Sequence, residues 1–321
     1  MIRTPGTGIL FALLAFAFFA THDAVVKALS ASYSVFQIIF FAGLFAFVPV
    51  SLMILADNTV ANFRPRHPWL VTFRTAAGVV AMSSAFYAFK TLPLTEVYAI
   101  LFMTPLLITA LSVPFLGETV GLRRWLAVAV GLAGVLVILR PGYAELHLGH
   151  LTAIAAAFGS AATSLIVRKI GSQERAAVLI LFPMLANTAG MAVILPFVYR
   201  PVPIGDLGAL ALLGGLVFVA QIMIIEAYRR AHAAQVAPLQ YSQIIWATLF
   251  GAFIFGETPD KWVAIGAAIT ICSGLFVLMR ESTGPNSRKT PLLKTWFLKP
   301  TAGPSLNPSM VRGNADRALD V

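Results

Sequence analysis

The chain has 321 residues, of which 59% are hydrophobic and only 11% charged, and its mean hydropathy is +0.85. A soluble domain carries about 25% charged residues to cover its surface, so a soluble enzyme or binding module is excluded. The formal charge of +10 sits between apolar runs and in the C-terminal tail, which fits cytoplasmic loops and anionic lipid headgroups and argues against nucleic acid as a partner.

Apolar runs of about 20 residues are long enough to span a bilayer. They predict ten membrane helices, near 8–29, 34–56, 69–89, 95–115, 122–140, 149–167, 176–198, 207–227, 236–255 and 261–279. The expected fold class is therefore an all-α integral membrane protein. A β-barrel would alternate polar and apolar residues over segments of about 10, and no such segments occur. Loop cations set the orientation. One side collects Arg3, Arg64, Arg66, Arg123, Arg124, Arg168, Lys169, Arg175, Arg229 and Arg230, the other only Lys27, Lys90, Arg140, Arg200 and Lys261. Both termini are expected in the cytoplasm, with the chain in the cell (inner) membrane. Arg3 and the following apolar run superficially resemble a signal peptide, but Phe18-Phe19-Ala20 is a poor cleavage site.

Taken in chain order, the first span breaks its own pattern. GILFALLAFAFFA is followed by THDAVVK, which puts His22, Asp23 and Lys27 inside an apolar helix. Charge at such depth is costly and marks function by default. Asp23 has three open readings: a fixed partner for Lys27 one turn away, a wall of the substrate route, or a proton-coupling carboxylate. Lys27 and Lys90 can also snorkel to headgroups. Span three brings Arg74 near the cytoplasmic end and Tyr87 near the outer end. Glu226 ends span eight on the cytoplasmic side, and a pair with Arg74 is expected there. Pro105 and Pro238 interrupt spans four and nine. Gln221, Gln240, Tyr241, Gln243 and Trp246 complete a candidate pathway in which rings stack on a planar ligand and amides read its edges. Helix packing is the bland alternative for each.

Other features carry less. Glu145, His147 and His150 form a cluster with metal-ligand chemistry, but a solvated loop is the simpler reading and no metal is expected. Cys272 alone excludes a disulfide framework and reads as a buried, inert thiol. Ala127, Gly131 and Gly134 permit close packing in span five; a homodimer stays open as an alternative. From residue 281 to 321, five prolines among Ser, Asn and Gly preclude a packed core and read as a disordered cytoplasmic tail.

Two stretches repeat one another. YAFKTLPLTEVYAILFMTPLLITALSVPFLGET aligns without gaps with EAYRRAHAAQVAPLQYSQIIWATLFGAFIFGET. They share Gly117-Glu118-Thr119 and Gly256-Glu257-Thr258, glutamates read as structural caps or contacts between helices. Each is followed by a last span ending in arginine, Arg140 and Arg280. Halves at 8–140 and 149–280, of five spans each, enter the membrane in opposite senses. Inverted repeats of this kind are a transporter architecture.

These motifs resemble the drug/metabolite transporter superfamily in its two-EamA-domain, ten-helix form. The match is carried by AFYAFKTLPLTEVYAILFMTPL with LGET, and by APLQYSQIIWATLFGAFIFGETPD, and it spans roughly residues 8–280. The second half is similar to a branch with riboflavin-type and S-adenosylmethionine-type carriers, a closeness that leaves the cargo open. Many relatives carry an arginine after the two aromatics of the second span, where this chain has Ala42 after Phe40-Phe41. The resemblance implies a secondary transporter of a small metabolite working by alternating access between the repeats. No GxxxxGKS/T phosphate loop occurs, so no nucleotide cofactor or ATP drive is expected. A membrane scaffold or sensor is the alternative. An intramembrane enzyme would need a convergent catalytic set, and the embedded polar residues are too scattered for one.

Overall fold

The computed structural model describes residues 5–55, 64–142, 145–170, 173–174, 176–231, 233–258 and 260–283. The expected tail lies outside them except at its start. The first half comprises α1 (Pro5–Leu29), α2 (Val35–Leu55), α3 (Pro68–Thr91), α4 (Leu94–Leu101), α5 (Thr104–Leu116) and α6 (Leu122–Leu139). The second comprises α7 (Leu148–Ile170), α8 (Ala176–Val198), α9 (Ile204–Arg230), α10 (Ala233–Val236), a 3-10 turn (Ala237–Ser242), α11 (Gln243–Phe255) and α12 (Lys261–Thr283). Among the described residues there is no β-strand.

Eight stretches are long and apolar enough to cross a membrane, with α4 and α5 together as one, and α2 offers a shorter apolar stretch, Val35–Pro49. The fourth and ninth spans are both broken. Proline supplies the cause, since it has no N–H to give and its ring clashes with the preceding turn. Pro105 stands in the first turn of α5, and Pro238 in the 3-10 turn before α11. The ninth span is consequently α11, only 13 residues, behind a non-α segment.

Both broken spans end alike. Gly117 and Gly256 take the left-handed conformation, with φ of 68° and 65°, a region where a Cβ is strained and glycine is not. The next residue folds back: Glu118 N–H reaches the Ser112 carbonyl at 3.4 Å, and Glu257 N–H the Gly251 carbonyl at 2.8 Å. The shared Gly-Glu-Thr is therefore a helix stop that throws a glutamate sideways.

The halves are interlocked. First span α1 packs along α9, the third span of the other half, and its counterpart α7 packs along α3. Second spans α2 and α8 pair with each other, as do last spans α6 and α12. Small residues allow the close approaches: a Cβ on Gly159 of α7 would lie 2.9 Å from the Ala77 carbonyl oxygen of α3. On α6, a Cβ on Gly134 would lie 2.9 Å from the Gly266 carbonyl, and Thr270 Oγ1 of α12 lies 3.2 Å from the Gly131 carbonyl. Ser273 donates to the Ala127 carbonyl. The small-residue face that left a homodimer open is thus filled from within the chain. Gly266, Thr270, Ser273 and Val277 form the α12 stripe that faces α6. Cys272 is off that stripe and exposed, which corrects the expectation of a buried thiol. Large apolar side chains are exposed elsewhere too, as at Phe253, Phe197 and Ile204, the kind of surface that lipid covers.

Candidate functional site

A cavity of about 480 Å³ opens among α1, α3, α4, α5, α7 and the 3-10 turn with α11, within the roughly 300–1,000 Å³ of small-molecule sites. Its apolar wall is aromatic: Phe16, Phe19, Phe86, Phe89, Tyr98 and Phe102. Small α3 residues, Gly78, Ala81 and Ala85, leave the room. The polar groups are Asp23, Thr104, Ser160, Thr163, Gln240 and Gln243. Both repeats contribute equivalent positions: the offset relating Glu118 to Glu257 also relates Leu101 to Gln240 and Thr104 to Gln243. It relates Phe102 to Tyr241 as well, and these rings meet edge-on, 4.8 Å between centroids at 74°. The symmetry-related breaks of spans four and nine therefore touch at the cavity.

Asp23 is the charged side chain in this lining. His22 Nδ1 lies 2.8 Å from Asp23 Oδ1, and Tyr98 donates its hydroxyl to Oδ2. His22 itself is buried and tilted against Phe86, at 5.8 Å between centroids. Lys27 is not its partner. Lys27 Nζ lies 2.5 Å from Glu257 Oε1 and donates to the Leu92 carbonyl at 2.5 Å. The other oxygen, Glu257 Oε2, accepts the Leu94 N–H at 3.1 Å. The same device recurs at the far end, where Arg168 of α7 lies 2.6 Å from Glu118. Each helix-stop glutamate thus crosses to the first span of the other repeat, once at the Lys27 end of the bundle and once at the Arg168 end. They are contacts between helices, as one sequence reading held.

Of the ten residues expected on the pathway, the structure brings Asp23, Gln240 and Gln243 into one cavity. Tyr241 is buried beside it against Phe102. The remaining six stand elsewhere. Lys27 is held by Glu257. Tyr87 packs into the helix core, Gln221 is half-buried in α9, and Trp246 stacks on Phe250. Arg74 and Glu226 are not joined: Arg74 donates to the Leu179 carbonyl at 2.6 Å, while Glu226 lies 3.1 Å from Arg230, one turn along its own helix. Arg74 faces α8 and not α9, because α3 is paired with α7 and α8. Of the outer-loop histidines, His147 is exposed before α7 as expected, while His150 is buried in the first turn of α7 with Nε2 2.9 Å from Glu96. Sequence reasoning missed Tyr98 and the phenylalanines; Thr104, Ser160 and Thr163 were missed too.

Two interlocked five-span repeats around a central cavity define a helical membrane transporter. Residues 6–140 and 147–279 each match the EamA-like transporter family. The chain belongs to that family, within the drug/metabolite transporter superfamily, and is a multi-pass transporter of small metabolites. It is similar to the riboflavin transporter of Rhizobium johnstonii, 30% identical over 74% of this chain and 78% of that one. It is similar to the S-adenosylmethionine uptake transporter of Rickettsia felis, 27% identical over 87% and 95%. The pseudopaline exporter of Pseudomonas aeruginosa is 24% identical over 85% and 94%. A crystal structure 21% identical shares the fold, with a TM-score of 0.58 over 85% of this chain and 97% of that one.

Proposed function

We propose that the protein is a secondary transporter, and not an enzyme, that carries its metabolite by alternating access through the Asp23 cavity. The carrying observation is the reciprocal pair Lys27–Glu257 and Arg168–Glu118. Related residues of two inverted repeats tie the repeats together at opposite ends of the bundle, so exchanging the conformations of the repeats would exchange which end is tied and which is open. Asp23, Gln240 and Gln243 contact the cargo. Loop charge supports cytoplasmic termini in the inner membrane, with the Lys27 end outside. Riboflavin and S-adenosylmethionine are the first cargoes to try, on the strength of the relatives that move them. A homodimer would have to use a surface other than the α6 glycine face.

The test joins the Lys27 end covalently. In a Cys272→Ala background, Lys27→Cys with Glu257→Cys is reconstituted, and counterflow of a metabolite pool containing both candidates is read by mass spectrometry. Oxidation stops transport and reduction restores it if that end opens in each cycle. Unchanged transport in the oxidised protein removes alternating access at that end from the mechanism.

A further inference from the structure

We propose that the cavity selects a cargo carrying a positive charge beside an aromatic ring, with Asp23 as its counter-ion. The inference rests on the reading that this cavity is the transport site, and adds the charge of what enters it.

Three observations carry it. First, Asp23 is the ionisable acid or base among the residues that line the cavity, apart from the phenol of Tyr98. Second, among the described residues no lysine or arginine is paired with Asp23. Lys27, one turn away, is taken by Glu257 and by the Leu92 carbonyl. What Asp23 does have are the Tyr98 hydroxyl, which donates to Oδ2, and the His22 ring nitrogen 2.8 Å from Oδ1. A hydroxyl donor orients a carboxylate and stabilises its charge without cancelling it. A carboxylate held so in an apolar surround is costly until a cation arrives. Third, the remaining wall is aromatic, and the faces of Phe and Tyr attract a cation while accepting a stacked ring. The amides of Gln240 and Gln243 and the hydroxyls of Ser160 and Thr163 are neutral and adaptable, so they fix orientation without opposing that charge. An anion would meet a like charge and no basic group in the lining.

The experiment measures equilibrium binding to the purified full chain of three compounds that share an indole ring: tryptamine, indole-3-acetamide and indole-3-acetate. At neutral pH they are cationic, neutral and anionic. The expected result is tryptamine tighter than the amide by at least about tenfold, with the acetate weakest. Asp23→Asn abolishes the preference, and Asp23→Glu, which keeps the charge, retains it. Equal affinity for the three, a preference for acetate, no binding of tryptamine, or a cation preference that survives Asp23→Asn overturns the proposal. Cavity fillers Ala85→Trp and Thr163→Phe, checked for monodisperse folding, test the underlying reading by counterflow. If they block transport while the charge preference is missing, the proposal falls alone. If both fold and transport normally, the site reading falls with it.

Discussion

The two ends of the bundle use the same motif to different depths. At the Arg168 end, Glu118 remains 34% exposed and its described partner is the Arg168 guanidinium. At the Lys27 end, Glu257 is 20% exposed, bonds Lys27 and the Leu94 N–H, and Lys27 also lies over the Phe255 ring at 5.4 Å. Further ties between the repeats surround it. Gln37 exchanges hydrogen bonds with the Arg200 backbone at 2.7 and 2.9 Å, Tyr33 bonds Asp206 at 2.5 Å, Glu96 holds His150, and Arg140 pairs with Asp260. Among the described residues, the Arg168 end offers His67 with Gln173 and Glu174, Arg74 with the Leu179 carbonyl, and Arg230 over the Phe11 ring in addition to its ion pair. A repeated sequence motif fixes where an inter-repeat contact forms. How firmly that end is held depends on neighbours that the repeat does not share.

The largest expected effect comes from breaking the better-enclosed pair. Glu257→Gln leaves Lys27 in a half-dry site without its counter-charge. Initial counterflow should fall by about tenfold or more, and Lys27→Met should do the same. The charge-reversed double variant, Lys27→Glu with Glu257→Lys, should recover part of the loss. Failure of any recovery would mean that each side chain acts through its backbone contact at Leu92 or Leu94 and not through the other. The equivalent change at the Arg168 end is milder, because Glu118 is more exposed than Glu257, although the stranded Arg168 is as enclosed as Lys27, each at 12%. Glu118→Gln is expected to slow counterflow by roughly threefold, above what a fully exposed pair contributes and below the Glu257 effect. Equal effects at both ends would erase the comparison.

The sequence carried the membrane class, most of the spans and the repeat, because those depend on patterns that run for 20 residues and on loop charge. Asp23 was legible because a carboxylate in an apolar run has no bland composition around it. The phenylalanines of the cavity were not, since in a chain this apolar nothing in a single Phe separates a cavity wall from a lipid-facing ring. Tyr98 was missed for a different reason: its role comes from reaching α1 from α4, a distance of 75 residues in sequence. The Arg74–Glu226 expectation failed on topology. The two residues stand on corresponding third spans, and these, unlike the second and last spans, do not pack on their counterparts; α3 goes to α7 and α9 to α1. The gap-free alignment did contain one unused signal, that Phe102 and Tyr241 share the offset of the two glutamates.

The smallest expected effect tests whether the outer ties add up or whether the ion pair dominates. Tyr33 follows α1, outside the spanning segment, and its hydroxyl donates to Asp206 at the start of α9. That hydrogen bond, with lesser contributions from burial and from the Asp206 charge, raises the phenol above its ordinary value. A raised acid is protonated in the fold more firmly than in the unfolded chain. Its contribution is therefore complete below the ordinary tyrosine value of about 10 and is lost as pH rises through the folded value. Tyr33→Phe removes the bond and keeps the ring, so counterflow should stay within about twofold of wild type. The melting temperature should fall by a constant amount between pH 6 and pH 8, and that gap should close in strongly alkaline buffer. A loss as large as that of Glu257→Gln would show instead that the Lys27 end is held cooperatively, with each tie depending on the rest.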